Sequence, residues 1–300
     1  MLKIAWKPNY VHPLPEKHRF PMIKYELLPE QLLYEGTVSQ DNFFAPGEAA
    51  DSMILAAHDA EYWRRLKGLE LTKSEIRKSG FPLSAGLVER EITIAQGTMD
   101  CTQYAFENGI AMNIAGGTHH AFTDRGEGFC LLNDQGIAAY YLLNQNLAKK
   151  ILIIDLDVHQ GNGTAEIFGG EDRVFTFSMH GAKNYPMHKE QSDLDIGLPD
   201  HTTDDFYLKT LEVNLKNLIQ QVEPDFLFYQ SGVDILSTDK LGRLKVSIQG
   251  CKERDRMVLQ TAKDNQLPMV VSMGGGYSEE IKYIIEAHAN TYRLAQEIYF

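Results

Sequence analysis

A layered α/β fold with a largely parallel central sheet, arranged as one three-layer α/β/α domain over residues 1–300, is predicted by three observations. Short, continuously apolar runs of strand length recur along the chain, longer segments with helical spacing lie between them, and polar clusters follow directly after five of the runs. The strand candidates are LKIAW (2–6), AMNIA (111–115), KILIID (150–155), RVFTFSM (173–179), DFLFYQ (225–230) and PMVVSM (268–273). Their apolar residues do not alternate with polar ones, as expected of parallel strands covered on both faces. Helical spacing appears over 131–150, 204–222, 248–265 and 278–299. Residues 7–100 read as mostly helical and loop-like, including AHDAEYWRRLKGLE, but their pattern does not order them in space.

Composition limits the function classes. The chain has 300 residues, 43% of them hydrophobic, and no Pro-, Ser- or charge-rich linker, so one large core is expected. With 29 basic and 41 acidic residues the net charge is -12, which argues against a nucleic-acid partner. Cys101, Cys130 and Cys251 form no CxxC pair and suit a reducing compartment. The opening MLKIAWKPNYVHP lacks a signal-peptide pattern, and no apolar run approaches the roughly 18 residues that span a bilayer. A soluble, cytoplasmic protein is expected, of undetermined oligomeric state.

The polar clusters carry the chemistry. GGTHHA (116–121) follows AMNIA, DLDVHQGNG follows KILII, SMH ends RVFTFSM, SGVDIL follows DFLFYQ and GGGYS follows PMVVSM. Each alone has an ordinary explanation: a tight glycine turn, a solvated histidine pair, a helix N-cap. Together they place five clusters at the carboxyl ends of five strands, where open α/β sheets bind ligands. Asp157, His159 and Asp234 offer two oxygens and a nitrogen, a three-ligand set that leaves room for water on a divalent ion. Such an ion would balance the buried carboxylates and lower the pKa of bound water to about 7. Asp155 points to the same side as Asp157 and His159 and can orient or counterbalance neighbouring groups. His119 and His120 are candidates for general base and acid, and Tyr277, on its glycine loop, for donation to a developing oxyanion.

GGTHHA, DRGEGFCLLND, DLDVHQGNGT, SGVDILSTDKLGRLKVS and SMGGGYS, with AHDAEYW and GFPLSAGLVERE nearer the amino end, together resemble the motif set of the zinc-dependent histone deacetylase family. DRGEGFC, HQGNG, NYP (184–186) and DKLGRL are most similar to its class IV members. The resemblance implies an arginase/deacetylase fold and hydrolysis of an acyl group from a lysine side chain of a protein or peptide, or from an acylated small amine. It implies one catalytic Zn2+ on Asp157, His159 and Asp234. It makes His120 the principal general base, partnered by Asn162, and puts His119, partnered by Asp155, near the leaving amine. Tyr277 polarises the amide carbonyl, and Gly128, Phe129 and the Gly275 loop border the acyl channel. A structural K+ is implied at Asp155, Asp157, His159, Ser178 and Met179. Asn162 stands where some members carry an aspartate, which implies a weaker His120 base.

One departure bears on substrate. Where several peptide-acting members carry a rim aspartate, this chain reads Lys78-Ser79-Gly80, which puts histone specificity in doubt. The class IV likeness implies that efficiency rises from acetyl to long acyl chains. An acetylpolyamine amidohydrolase remains the main alternative, ahead of a two-metal ureohydrolase and of a non-catalytic acyl-binding module. Cys130 reads as a buried inert thiol. His12, His18, His58, His188, His201 and His288 show no ligand spacing and read as surface or structural residues, with His180 closer to a functional strand end.

Overall fold

Eight strands pair side by side, all parallel, in a computed structural model that describes residues Met1–Phe300. They are β1 (Lys3–Ala5), β2 (Phe43–Phe44), β3 (Ile110–Asn113), β4 (Ile151–Asp155), β5 (Val174–Gly181), β6 (Leu194–Leu198), β7 (Phe226–Gln230) and β8 (Met269–Ser272). Their order across the sheet is β2-β1-β3-β8-β7-β4-β5-β6. The six strands expected from sequence all form. Sequence reading missed the two edges, β2 and β6. The first is only two residues long, and the second, LDIGL, is half-exposed and lacks a continuous apolar run.

The helices are α1 (Lys24–Tyr34), α2 (Asp51–Ile54), α3 (Ala60–Lys67), α4 (Lys73–Ser79), α5 (Ala85–Asn108), α6 (Asp134–Asn144), α7 (Asn162–Ile167), α8 (Asp204–Val222), α9 (Ile248–Asp264) and α10 (Ile281–Tyr299). Local chemistry sets their ends. The Ser84 hydroxyl accepts from Leu87 N to start α5, and Gly109 at φ +84° stops it. Asn133 starts α6 by accepting from Gly136 N, so the helix expected over 131–150 is shorter at both ends. The 24-residue α5 packs on β1, β3 and β8 with α6 beside it, while α9 packs between α8 and α10, with α1 against α10. Residues 7–100 therefore complete the layers around the sheet, and one continuous cluster of 80 buried residues joins them to it.

Topology determines which strand ends meet. After β3 the chain leaves two positions open, runs outward through β4, β5 and β6, and returns to fill the gap with β7 and β8. β3, β8, β7, β4 and β5 thus lie next to one another, and these are the five strands followed by polar clusters. Register aligns their ends: Asn113 pairs with Ser272, Ser272 with Gln230, Gln230 with Asp155, and Asp155 with Ser178.

Fully buried Arg254 on α9 holds this row from behind. Its guanidinium donates to the carbonyls of Leu156, Ser231 and Gly232 just past β4 and β7, and its Nε to Asp255 Oδ1 at 2.9 Å. Asp255 also accepts from Tyr229 and Thr291. Arg254→Leu strips three carbonyls of their donor and leaves Asp255 uncompensated, and should destabilise the fold by about 3–5 kcal/mol, read from urea unfolding.

Candidate active site

The turn after β3 brings in the histidine pair. Asp134, at the start of α6, accepts from both the amide and the hydroxyl of Thr118 through Oδ1, and from Thr98 and Ser272 through Oδ2. This fixes the Gly116–Thr118 turn and aims the next two residues inward. His119 and His120 stack with ring centroids 4.1 Å apart, and both are buried. His119 Nδ1 meets Asp155 Oδ2 at 2.7 Å, and His120 Nδ1 meets Asn162 Oδ1 at 2.6 Å. Because an amide oxygen only accepts, His120 carries its proton on Nδ1 and leaves Nε2 with a free lone pair.

The loop after β4 carries Asp157 and His159, and Asp234 arrives after β7. Their ligand-type atoms all lie within 4.8 Å of one another, and all three side chains are buried. His159 Nδ1 faces Asp157 Oδ1 at 3.1 Å and Asp234 Oδ2 at 3.0 Å. The remaining carboxylate lone pairs are oriented by backbone N–H groups: Val158 to Asp234, and His159 and Gly275 to Asp157. A Cβ at Gly275 would overlap an oxygen of Asp234, so this position must be glycine for the two carboxylates to converge.

The electrostatics call for a positive charge here. Burial, and then the neighbouring charge of Asp157, push the Asp234 carboxyl up from its usual range. Burial disfavours charge on His159, yet Asp157 and Asp234 outweigh it and raise its pKa. The rise at His159, and the part of the Asp234 shift that Asp157 causes, express an excess of negative charge that a cation held by these three side chains would neutralise. The donor set, two carboxylate oxygens and one imidazole nitrogen, suits a divalent metal such as zinc.

The histidine pair is electrically split. Burial opposes charge on His119, but Asp155 and Asp157 prevail and push it up to about 9. His120 is driven well below 6.5, by burial first and then by the charges of His119 and His159. A cation on Asp157 would cancel part of that field and leave the direct Asp155 contact to His119.

Tyr277 follows β8. Its amide donates to Asp239 Oδ2 at 2.6 Å, and Asp239 also accepts from the amides of Leu241 and Gly242. Burial, and then the nearby Asp157 and Asp234, raise its pKa well above 10, so the hydroxyl stays protonated. Tyr277, His120, His159, Gly128 and Phe129 line a funnel of about 270 Å³ open to the surface. Phe129 sits in the left-handed region at φ +69°, next to Gly128 at φ +52°. The amide of Phe129 donates to Ser79 O, and its ring packs on Phe20 and Phe81.

The structure thus brings His119, His120, Asp155, Asp157, His159, Asn162, Asp234, Gly275 and Tyr277 together, with Gly128 and Phe129 as the wall. Ser178 lies beside Asp155 across β4 and β5, with Met179 next to it, but its hydroxyl is bonded to His180 Nδ1. His58 is satisfied by Phe122 O and Asn133 N, as a structural histidine should be. His18 is likewise held by Gly80 O and Phe20 N. Burial raises the Cys130 thiol pKa well above its usual value, in keeping with an inert thiol. Sequence reading missed Lys24, Phe20, Asp239 and Tyr185. Buried Lys24 donates to Gly274 O at 3.0 Å, and burial lowers its ammonium to about 8 against the pull of Asp234 and Asp157. Nothing in MIKYELL distinguishes that lysine from a solvated one.

The pattern that defines the family described as "Histone deacetylase domain" matches residues 16–292. An uncharacterized protein of Picosynechococcus sp. is 43% identical over 99% of both chains. Histone deacetylase 2 of Arabidopsis thaliana is 30% identical, covering 89% of this chain and 72% of its own. The crystal structure of an HDAC homolog from Aquifex aeolicus superposes with a TM-score of 0.84 at 23% identity, over 98% of this chain and 84% of that one, which shows the shared fold. No helix here is long and apolar enough to cross a membrane.

In the metal-free protein His120 should titrate below pH 6.5. Asn162→Asp puts a carboxylate in place of the amide, stabilises the imidazolium and should move that midpoint up by about 1–3 units, followed by NMR of the imidazole resonances.

Proposed function

Because this chain belongs to the histone deacetylase domain family, we propose that it is a zinc-dependent amidohydrolase that removes an acyl group from a lysine side chain or a related amine. The observation that carries this reading is a funnel lined by His120, Tyr277 and His159, at whose inner end His159 meets the buried carboxylates of Asp157 and Asp234. A zinc ion held by those three side chains would supply an acidified water and a Lewis acid for the amide carbonyl. His120, anchored by Asn162, presents Nε2 to take the proton of the attacking water. The Tyr277 hydroxyl donates to the amide oxygen as it gains charge. His119, held protonated by Asp155, delivers a proton to the departing amine. A monovalent cation such as K+ below the site is supported by the carbonyls of Asp157 and His159, which accept no hydrogen bond.

Rival readings fare unequally. A ureohydrolase needs a second metal, and no second group of three such ligands converges in the chain. A non-catalytic acyl-binding module would not need the base, the acid and the tyrosine that all converge here. The class IV likeness rests on sequence motifs, and its implied preference for long acyl chains is not supported by the space available. Behind the funnel, from Asp157, His159 and Tyr277 back to Tyr25, Ile94 and Cys130, the free volume is about 30 Å³. That is room for about two water-sized spheres, enough for a short acyl end such as acetyl. Phe20 arrives from the amino-terminal loop, 5.1 Å from Phe129 and 6.0 Å from Tyr277, and borders that space.

The test has two parts. Asp157→Ala, His159→Ala and Asp234→Ala should each lose zinc and activity together, whereas Tyr277→Phe should keep zinc and lose roughly 10²–10³ in kcat. Full zinc occupancy in all three alanine variants would refute the ligand set. On one peptide carrying acetyl-, octanoyl- or myristoyl-lysine, kcat/KM should fall with chain length, and a rise would show that the rear cavity opens.

A further inference from the structure

The mouth of the funnel carries a charge opposite to that of the protein. Four of its lining residues are cationic, Arg19, Lys78, Lys183 and Arg243, and none is acidic. The chain as a whole has a net charge of -12. Four separate segments deliver these cations and are fastened to the site. Lys78 lies in the last turn of α4, where its carbonyl accepts from Gly128 N at 3.1 Å. The Arg19 guanidinium lies 5.1 Å from the centre of the Phe129 ring. Asn184 Nδ2 donates to Leu241 O and its Oδ1 accepts from Arg243 N, tying the Lys183 and Arg243 loops together.

Local carboxylates do not cancel this charge. Asp200 is shared between Arg243 at 3.3 Å and Lys183 at 3.8 Å. Glu127, near Tyr185, is engaged by Arg125 and by the Tyr185 hydroxyl. Arg19 and Lys78 have no carboxylate within 4.0 Å. Four like charges converging on one opening repel each other and persist only at some cost, unless a ligand of opposite sign visits.

The leaving amine points toward this mouth, since the acyl end must enter the small cavity behind the metal ligands. We propose, resting on the amidohydrolase reading above, that the amine half of the substrate is anionic: an acyl-lysine or similar acyl-amine with a carboxylate close to the scissile amide. The carboxylate comes either from the free α-carboxylate of an Nε-acyl amino acid or from acidic residues flanking an acyl-lysine in a peptide. Acylpolyamines and basic tail peptides, which carry the same sign as the rim, are poor substrates.

Peptides with one acetyl-lysine flanked by Glu, by its isostere Gln or by Lys, together with free Nε-acetyl-lysine, its carboxamide and an acetylpolyamine, test this on the zinc-loaded protein. The Glu peptide should exceed the Gln peptide in kcat/KM by about tenfold or more at low salt, and the ratio should shrink as salt rises. Lys78→Glu with Arg243→Glu should reverse the order. The salt series on the unaltered protein decides the matter should that variant misfold. Preference for free acetyl-lysine over its carboxamide identifies the α-carboxylate as the source, and preference for Glu over Gln identifies the peptide. Equal turnover, or preference for the Lys peptide or the polyamine, overturns the proposal and leaves the hydrolase reading intact. No turnover of any substrate overturns the hydrolase reading, and calorimetric affinities for the Glu and Gln peptides then decide the charge preference.

Discussion

Three carboxylates, Asp155, Asp157 and Asp234, are buried within one site at the carboxyl ends of neighbouring strands, each no more than 3% exposed. Removing that much negative charge from water costs several kcal/mol per ion unless positive charge and hydrogen bonds replace the lost hydration. Most of the surrounding architecture serves that replacement. His119 sits on Asp155, Lys24 and Arg254 bring buried cations beneath the loops, and backbone amides of Val158, His159 and Gly275 donate to the two ligand carboxylates. What remains uncompensated lies between Asp157 and Asp234, and a divalent ion fits there.

The same field distinguishes two adjacent histidines. One faces a carboxylate and is held charged, while the other faces an amide and is held neutral. The two ring centroids lie 4.1 Å apart, and each ring's Nδ1 is tied to a different partner. Toward solvent the sign of the field changes. The floor needs a cation and the rim displays four, so a substrate with a neutral acyl end and an anionic amine end matches both.

Much of the site was readable in the chain because it is local. Asp157 and His159 lie two residues apart after an apolar strand, the histidines are adjacent, and Tyr277 follows three glycines. Parallel strands buried on both faces leave unbroken apolar runs, so the six inner strands showed, whereas the two-residue β2 and the half-exposed β6 at the edges did not. The chemical types of the ligands, the helix caps and the glycine turns were likewise set by residue identity.

Other properties belong to the tertiary structure. The β3 to β4 excursion, later filled by β7 and β8, is what gathers five clusters scattered over 160 residues, and periodicity carries no information on strand order. The narrow cavity behind the funnel depends on Phe20 and Tyr25, whose helix-and-loop segment had no legible place in space. The cationic rim depends on residues 19, 78, 183 and 243 converging, in a chain whose composition is acidic. Length, pattern and residue type determined that this protein has a parallel sheet and a metal-type site. Which side chains face one another across that site, and with what charge, is a matter of long-range packing that only the folded chain decides.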